Sequence, residues 1–371
     1  VMARIPAQST VDDLLRVLAV RPADRLLRYR VLKALNKLRV HDARFAFEAG
    51  AVMSSLEREI EANRRFACAS TSVEGLEGCG PGLELLERSL YEAWLAGRQR
   101  IFRHLGLLHP PDGMYRAYMA IQGGDRTARA TALEWLEQKL GHALFVRLGP
   151  AIREGARARA AGREVREVLA DLMAGDEAWL ASCAAWTAVE LGAPWAREEL
   201  QRARASANKE LSLLAEHALL RLDALEGDSQ PRSSEMNLIE KVFLLHQVDL
   251  LHDARAEDLA LLASIAEEVD VKAGTVLIRQ DEPTDALYVV IRGAVELRRT
   301  GEQVLTAQDG TPFGTWALID EAPSLVGATA VKDTQLLRIT REDFYDLLAE
   351  HNELVRGLLK GLARRVRTLV A

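Results

Sequence analysis

The sequence predicts a multidomain α + β chain: an all-α solenoid first, then a β-barrel (jelly roll) with flanking helices. Three observations carry this. From Val11 to about Leu225 nearly every segment spaces its apolar residues at helical period, and none alternates as a strand does. Beyond Val269 the period becomes that of short strands separated by glycines and Asp-Glu-Pro turns. Between these regions Gly227–Glu235 (GDSQPRSSE) is polar, carries a proline and lacks apolar periodicity, which marks a boundary. The expected domains are 1–226 and 236–371, with a linker at 227–235.

In the helical half, Leu14, Leu15 and Leu18, then Leu26, Leu27, Val31, Leu35 and Leu38, fall on successive helix faces, with Pro22 between the two helices. A long helix is expected over Asp42–Phe66, followed by a Gly-rich loop at Ser70–Gly82. Further helices are expected near Leu83–Leu105, Gly113–Ile121, Arg126–Leu140, Ala151–Met173, Asp176–Leu191 and Trp195–Leu225. An Ala-Leu-x-x-Leu echo recurs at Ala34/Leu35/Leu38, Ala132/Leu133/Leu136 and Ala218/Leu219/Leu222, with a looser copy at Ala188/Val189. Small residues let paired helices approach while leucines fill the seam, as in HEAT-type repeats of an α-solenoid. Because the spacing is irregular, an unrepeated helical bundle is the alternative.

The second domain opens with helices at Leu238–Leu251 and Ala256–Val269. Strands are expected at Thr275–Ile278, Leu287–Ile291, Ala294–Arg298, Val304–Ala307, Gly327–Val331 and Leu336–Ile339, and helices at Arg341–Leu348 and Asn352–Val370. The stretch the domain is organised around is Phe313–Gly327, FGTWALIDEAPSLVG. Gly314 permits a sharp turn. Thr315 is expected to cap a short helix, Trp316–Ile319, whose free N–H groups would face an anion, and Pro323 stiffens the return.

That layout resembles the phosphate-binding cassette of the cyclic nucleotide-binding domain family. Phe313, Gly314, Ala317, Leu318, Ile319 and Pro323 match its pattern, and Gly274, Gln280, Glu282, Asp285, Leu287, Tyr288, Gly293 and Val295 match its opening strands. Asp281 stands at a turn usually held by Gly, and Asp tolerates the left-handed geometry such a turn needs. The resemblance covers roughly 238–370 and implies candidate ligand contacts at Phe313, Gly314, Thr315, Trp316, Ala317, Ser324, Leu325 and Gly327. The departures fall on the polar positions. Thr315 replaces the Glu that holds the ribose, Ser324 replaces the Arg that pairs with the cyclic phosphate, and Gly327 stands where Thr or Ser is frequent. Losing one charge-assisted hydrogen bond costs roughly 1.5–3 kcal/mol, or ~10- to 150-fold in affinity. The cassette reads as degenerate, with no cofactor and with cAMP or cGMP as the alternative ligand. Trp316 is expected to pack into the barrel core.

The helical segments LLRYRVLKALNKLR, DRTARATALEWLEQKL and DEAWLASCAAWTAVELG resemble the soluble tails of bacterial transporters of the ATP/ADP-translocase or major-facilitator type. This implies a cytoplasmic regulatory tail, or partner, of a membrane transporter, held at the inner face of the membrane. The alternative is a small-molecule sensor taking a cyclic nucleotide or other anion.

Composition narrows the classes. The 371 residues are 49% hydrophobic and 27% charged, with net charge −6 and pI near 5.9, so nothing global favours nucleic acid or an anionic membrane. Cys68, Cys79 and Cys183 are scattered, without metal-ligand spacing, as in reduced cytosolic proteins. No apolar run is long enough to span a bilayer, Trp179–Trp195 being broken by Glu190 and Pro194. The chain begins at Val1, consistent with the end of a longer polypeptide. No HExxH, G-x-S-x-G or G-x-G-x-x-G motif is present, so no metal site and no enzyme are expected. His246 and His252 read as surface residues.

Arg153–Arg166 and Arg364–Arg367 are the local basic patches, the first read as a solvated face. The helix-turn-helix of catabolite-activator-type factors does not follow the last helix, so DNA binding is not expected. That helix carries a stripe of Leu354, Val355, Leu358, Leu359, Leu362, Val366 and Leu369, expected to pack on its own domain, with dimerisation as the minority alternative.

Overall fold

The computed structural model describes residues 6–20, 25–74, 76, 80–123, 125–152, 163–206, 209–226 and 236–370. The proposed linker 227–235, Cys79, Pro22 and most of the basic cluster at 153–166 lie outside them. Two compact units emerge, one of residues 1–79 and 86–180, the other of residues 80–85 and 181–371.

The first unit is helical: α1 (Gln8–Val20), α2 (Arg25–His41), α3 (Ala49–Val73), α4 (Pro81–Leu108) beyond its opening turn, α5 (Pro111–Gln122), α6 (Arg126–Leu140), α7 (His142–Ile152) and α8 (Val165–Met173). The periodic leucines sort into two cores. Leu14, Leu18, Leu32, Leu35 and Leu38 meet Val52 and Leu107 in one. Leu56, Ile60, Ile101, Leu105, Leu136 and Phe145 meet in the other. Each such side chain contributes about 1.5–3 kcal/mol by leaving water. Helix α3 starts seven residues later than Asp42–Phe66 implies. Asp42 is taken up by a turn in which its carboxylate accepts from the Arg44 amide at 2.9 Å, and Glu48 caps the helix by accepting from the Gly50 and Ala51 amides. The helix then runs on through Ser70–Val73, which the glycines downstream disguise as loop.

A buried polar seam joins α3 to α4. Arg100 donates to Glu59 at 2.7 Å, with both side chains almost wholly out of water. His104 Nδ1 lies 2.9 Å from the Arg100 carbonyl, so it carries the proton, and Nε2 accepts from Ser55 Oγ at 3.0 Å. Burial lowers the His104 pKa. Burial alone would raise Glu59, but Arg100, His104 and Arg28 outweigh it and hold its carboxyl below the usual carboxylate value.

In the second unit, α9 (Ala178–Glu190) is followed by α10 (Ala196–Arg204) and α11 (Lys209–Glu226), two helices where periodicity suggests one. The break is stabilised locally: the Ala205 and Ser206 amides bond back to Arg202 and Ala203, and Ser212 Oγ donates to the Arg204 carbonyl. Helix α12 (Leu238–His246) starts with a capping box between Asn237 and Glu240. It stops five residues short of Leu251 in a series of turns.

Helix α13 (Ala256–Ile265) also ends early, and Glu267–Val271 is strand β1 instead of helix. Its carboxylates at 267, 268 and 270 look like a solvated helix face. Pairing with β8 (Thr334–Thr340) from Glu267↔Arg338 to Val271↔Thr334 decides otherwise. The remaining strands are β2 (Val276–Ile278), β3 (Ala286–Arg292), β4 (Ala294–Arg299), β5 (Glu302–Gln308), β6 (Pro312–Phe313) and β7 (Gly327–Ala330). They do not close into the expected barrel. They form two open antiparallel four-stranded sheets, ordered β1-β8-β3-β6 and β2-β7-β4-β5, with no ladder joining one to the other. Ile278, Ala286, Tyr288, Val290, Val295, Leu297, Phe313 and Leu336 form the core between them. Helices α14 (Arg341–Glu350) and α15 (Asn352–Val370) follow β8.

Candidate functional site

Phe313 anchors the start of the cassette. It pairs with Tyr288 across β6 and β3, and the two rings stack at 5.2 Å with an interplanar angle of 13°. Gly314 follows at φ +75°. A methyl group there would stand 2.6 Å from the Ala286 carbonyl oxygen, so both dihedral and space require glycine.

Thr315–Leu318 form one 3₁₀ turn, which starts one residue before the expected helix. Gly314, not Thr315, is the capping residue, and no side chain caps the turn; the first internal bond runs from the Ala317 amide to the Gly314 carbonyl at 3.0 Å. Ala317 and Leu318 are buried and hold the turn down. Trp316 does not enter the core, because its two buried successors fix the inner face of so short a turn. The residue is 47% exposed, and the Arg365 guanidinium of α15 lies 5.0 Å from its ring centroid.

Arg341, which the sequence reading did not single out, ties the cassette to α14. Its guanidinium donates to the carbonyls of Ala317, Thr284 and Asp320, the last two at 2.7 and 2.8 Å. Tyr345 Oη donates to the Ile319 carbonyl at 3.2 Å. These groups satisfy the carbonyls that a short helical turn leaves unpaired at its C-terminal end. A lone Arg at the start of a helix gives no sequence signal for this role.

The return segment is set by Ser324. Its amide donates to the Glu282 carbonyl at 2.9 Å, and its carbonyl accepts from the Asp281 amide at 2.8 Å. Asp281 has φ +61°, the left-handed geometry anticipated for that turn. Ser324 Oγ donates to the Val326 carbonyl at 2.8 Å, so its one proton is used inside the loop. Leu325 is 66% exposed. Gly327 begins β7 opposite Arg298, and a methyl group there would meet its nearest neighbours at an ordinary 3.6 Å.

Residues 313–327 contain no Lys or Arg but do carry Asp320 and Glu321. Two nearby cations are engaged elsewhere: Arg298 with Glu296 at 2.8 Å, and Arg279 with Glu282 at 3.5 Å. The Arg298 hydrogen bond lowers the Glu296 pKa. Lys332 borders a separate recess with Asp270, Lys272 and Arg292, away from the cassette residues.

Helix α15 packs on its own unit through close backbone contact. A methyl at Gly361 would lie 2.6 Å from the Leu250 carbonyl oxygen, and one at Gly357 would lie 3.0 Å from Ala254 Cα. Arg364 approaches Asp253 at 3.5 Å and donates to the Asp249 carbonyl at 3.1 Å. The apolar stripe is therefore divided. Leu354 and Leu358 are buried, whereas Leu359 and Val366 face solvent. The side chain of Leu369 lies outside the described residues.

Among the described residues no cluster of His, Cys, Asp and Glu could hold a metal, and no helix is long and apolar enough to cross a membrane. The rings of His246 and His252 contact each other edge to face at 5.0 Å.

Comparison with known proteins agrees with the domain resemblance. The family described as "Cyclic nucleotide-binding domain" matches residues 268–351. The cyclic AMP receptor protein of Thermus thermophilus is 34% identical over 123 residues, 32% of this chain and 57% of that protein. A CRP-like cAMP-activated global transcriptional regulator of Mycobacterium tuberculosis is 26% identical over 129 residues, 33% of this chain and 58% of that protein. The solved Thermus thermophilus catabolite activator protein matches at 31% identity with a TM-score of 0.29, covering 33% of this chain and 59% of that one. The chain thus spans little more than half the length of these relatives.

Proposed function

Starting from a chain that carries a cyclic nucleotide-binding domain at residues 268–351, we propose a non-enzymatic regulatory and interaction module whose nucleotide cassette keeps its fold and has lost its anion-binding chemistry. The observation that carries this reading is the state of Ser324: its hydroxyl is spent on the Val326 carbonyl, in a segment without a single Lys or Arg. A cyclic phosphate must shed water to enter, and charged planar donors are what offset that cost. Thr315 leaves the ribose without its carboxylate partner as well. The helical half reads as HEAT-like paired helices, and its likeness to transporter tails supports a membrane transporter of the nucleotide type as the protein it serves at the cytoplasmic face. No nucleic-acid role forms part of this reading.

One observation favours a second reading, a working small-molecule sensor. Gly314 holds the left-handed geometry of the cassette turn, and two of the relatives named above are by name a cyclic AMP receptor protein and a cAMP-activated regulator. Isothermal titration with cAMP and cGMP up to millimolar concentration separates the two. Silence from the natural chain, with binding in the Thr315→Glu/Ser324→Arg double variant, is the expected result. Micromolar binding by the natural chain would establish the sensor and overturn the degenerate cassette.

A further inference from the structure

The first unit carries a groove of 200 Å³ between α2, α4 and α5, away from anything the cassette uses. Val40, Phe102, Tyr115 and Tyr118 make its apolar wall, and Asn36 and Arg103 contribute polar groups. Two of these apolar residues have no cover: Val40 is 67% and Tyr115 62% exposed. Met119, one helical turn beyond Tyr115, is also exposed and extends the apolar row along α5.

Charge beside the groove is one-sided. Helix α2, RLLRYRVLKALNKLRVH, has Arg25, Arg28, Arg30, Lys33, Lys37 and Arg39 and no acidic residue. Arg28 is buried against Glu177, and Arg39 stacks on Phe47. Arg30, Lys33 and Lys37 are exposed and fall at helical spacing on one stripe, directly beside Val40. Among the described residues neither Lys33 nor Lys37 has a carboxylate partner; Lys33 instead lies 5.8 Å from the Tyr29 ring. Arg103 also stacks on that ring, 4.8 Å from its centroid, and its buried Nε has no hydrogen-bond partner among the described residues. Asp112, at the start of α5, is the acidic group in the lining.

We propose that this groove is a docking site for an acidic amphipathic peptide segment of a partner protein. One leucine or aromatic side chain of the segment enters between Val40, Phe102, Tyr115 and Tyr118, while its carboxylates meet Lys33 and Lys37. Charge complementarity selects this occupant. A chain of net charge −6 that gathers exposed cations without acids along one helix, next to the uncovered Val40 and Tyr115, matches a partner that is apolar on one edge and acidic on the next. Three cations over two turns reach too few phosphates to hold nucleic acid at physiological salt.

The inference extends the interaction-module reading to the helical unit, and it is tested without nucleotide, so the two fail separately. The full chain is used to select random 12-residue displayed peptides, and enriched peptides are measured by fluorescence anisotropy against the natural chain, Val40→Asp and Lys33→Glu/Lys37→Glu. These positions are exposed, and circular dichroism and thermal melting verify that the variants fold. Enriched peptides should be net acidic with one or two Leu, Phe or Trp residues. Their affinity should fall at least 10-fold in each variant and weaken as salt rises. The proposal is overturned if nothing is enriched, if enriched peptides lack acidic bias, or if both variants bind as well as the natural chain. Binding of a single-stranded dT oligomer that is lost in the same variants would also overturn it, in favour of a nucleic-acid surface.

Discussion

At Gly314 a substitution meets two penalties. The φ of +75° strains an L-residue by about 1–2 kcal/mol, and the Ala286 carbonyl stands where the new methyl would go. Gly314→Ala should therefore destabilise the sandwich by about 2–4 kcal/mol in urea denaturation, whereas Gly327→Ala, whose methyl would make only ordinary contacts at 3.6 Å, should cost less than ~1 kcal/mol. Arg341 belongs to the same scale. Replacing it with Met strands three carbonyls and should cost about 2–3 kcal/mol by the same assay. His104 gives a pH signature. Its folded pKa is lowered by burial, so below the unfolded value of 6.5 the unfolded chain takes a proton that the folded chain refuses. Stability should fall as pH drops below about 6.5, and His104→Gln should flatten that part of the profile. Glu59, also lowered, adds a loss at more acid pH, as the medium falls through its unfolded and then its folded pKa.

Between elements, two contacts test how the helices are held. The Glu59–Arg100 bridge joins α3 to α4 in a dry seam. Arg100→Met leaves a buried carboxylate without its partner and should cost about 3–5 kcal/mol, more than any exposed ion pair of the chain. Helix α15 depends on Gly361, where a side chain would strike the Leu250 carbonyl. Gly361→Val should lift α15 from the 249–254 segment and remove Arg365 from the Trp316 ring. A change in Trp316 fluorescence together with new proteolytic cleavage within 352–370 is the expected outcome; unchanged fluorescence and cleavage would show that α15 is held by other contacts.

For the whole molecule, ligand linkage gives the broadest test. A micromolar site in 1 mM nucleotide would add about 4.1 kcal/mol of stability, a shift of several degrees in melting temperature. The natural chain should show almost none of it with cAMP or cGMP, and the Thr315→Glu/Ser324→Arg variant should recover part. The low net charge conceals a division that matters at this scale. Cations concentrate along α2, while the cassette carries only acids among its charged residues.

Much was legible in sequence order alone. Helical period placed the leucines of α1, α2 and α6, and the glycines and Asp281 placed the turns of the sandwich, because these depend on residues a few positions apart. The cassette was found the same way, from Phe313, Gly314 and Pro323 in one short run. Tertiary structure decided what depends on distant partners. β1 is a strand because β8 lies beside it, although its own residues suit a helix. Eight strands became two open sheets through pairings up to 71 residues apart. Trp316 faces α15, not the core, and Arg341 holds the turn from the far end of β8. No local pattern encodes these contacts, since their energy exists only once segments remote in sequence have met.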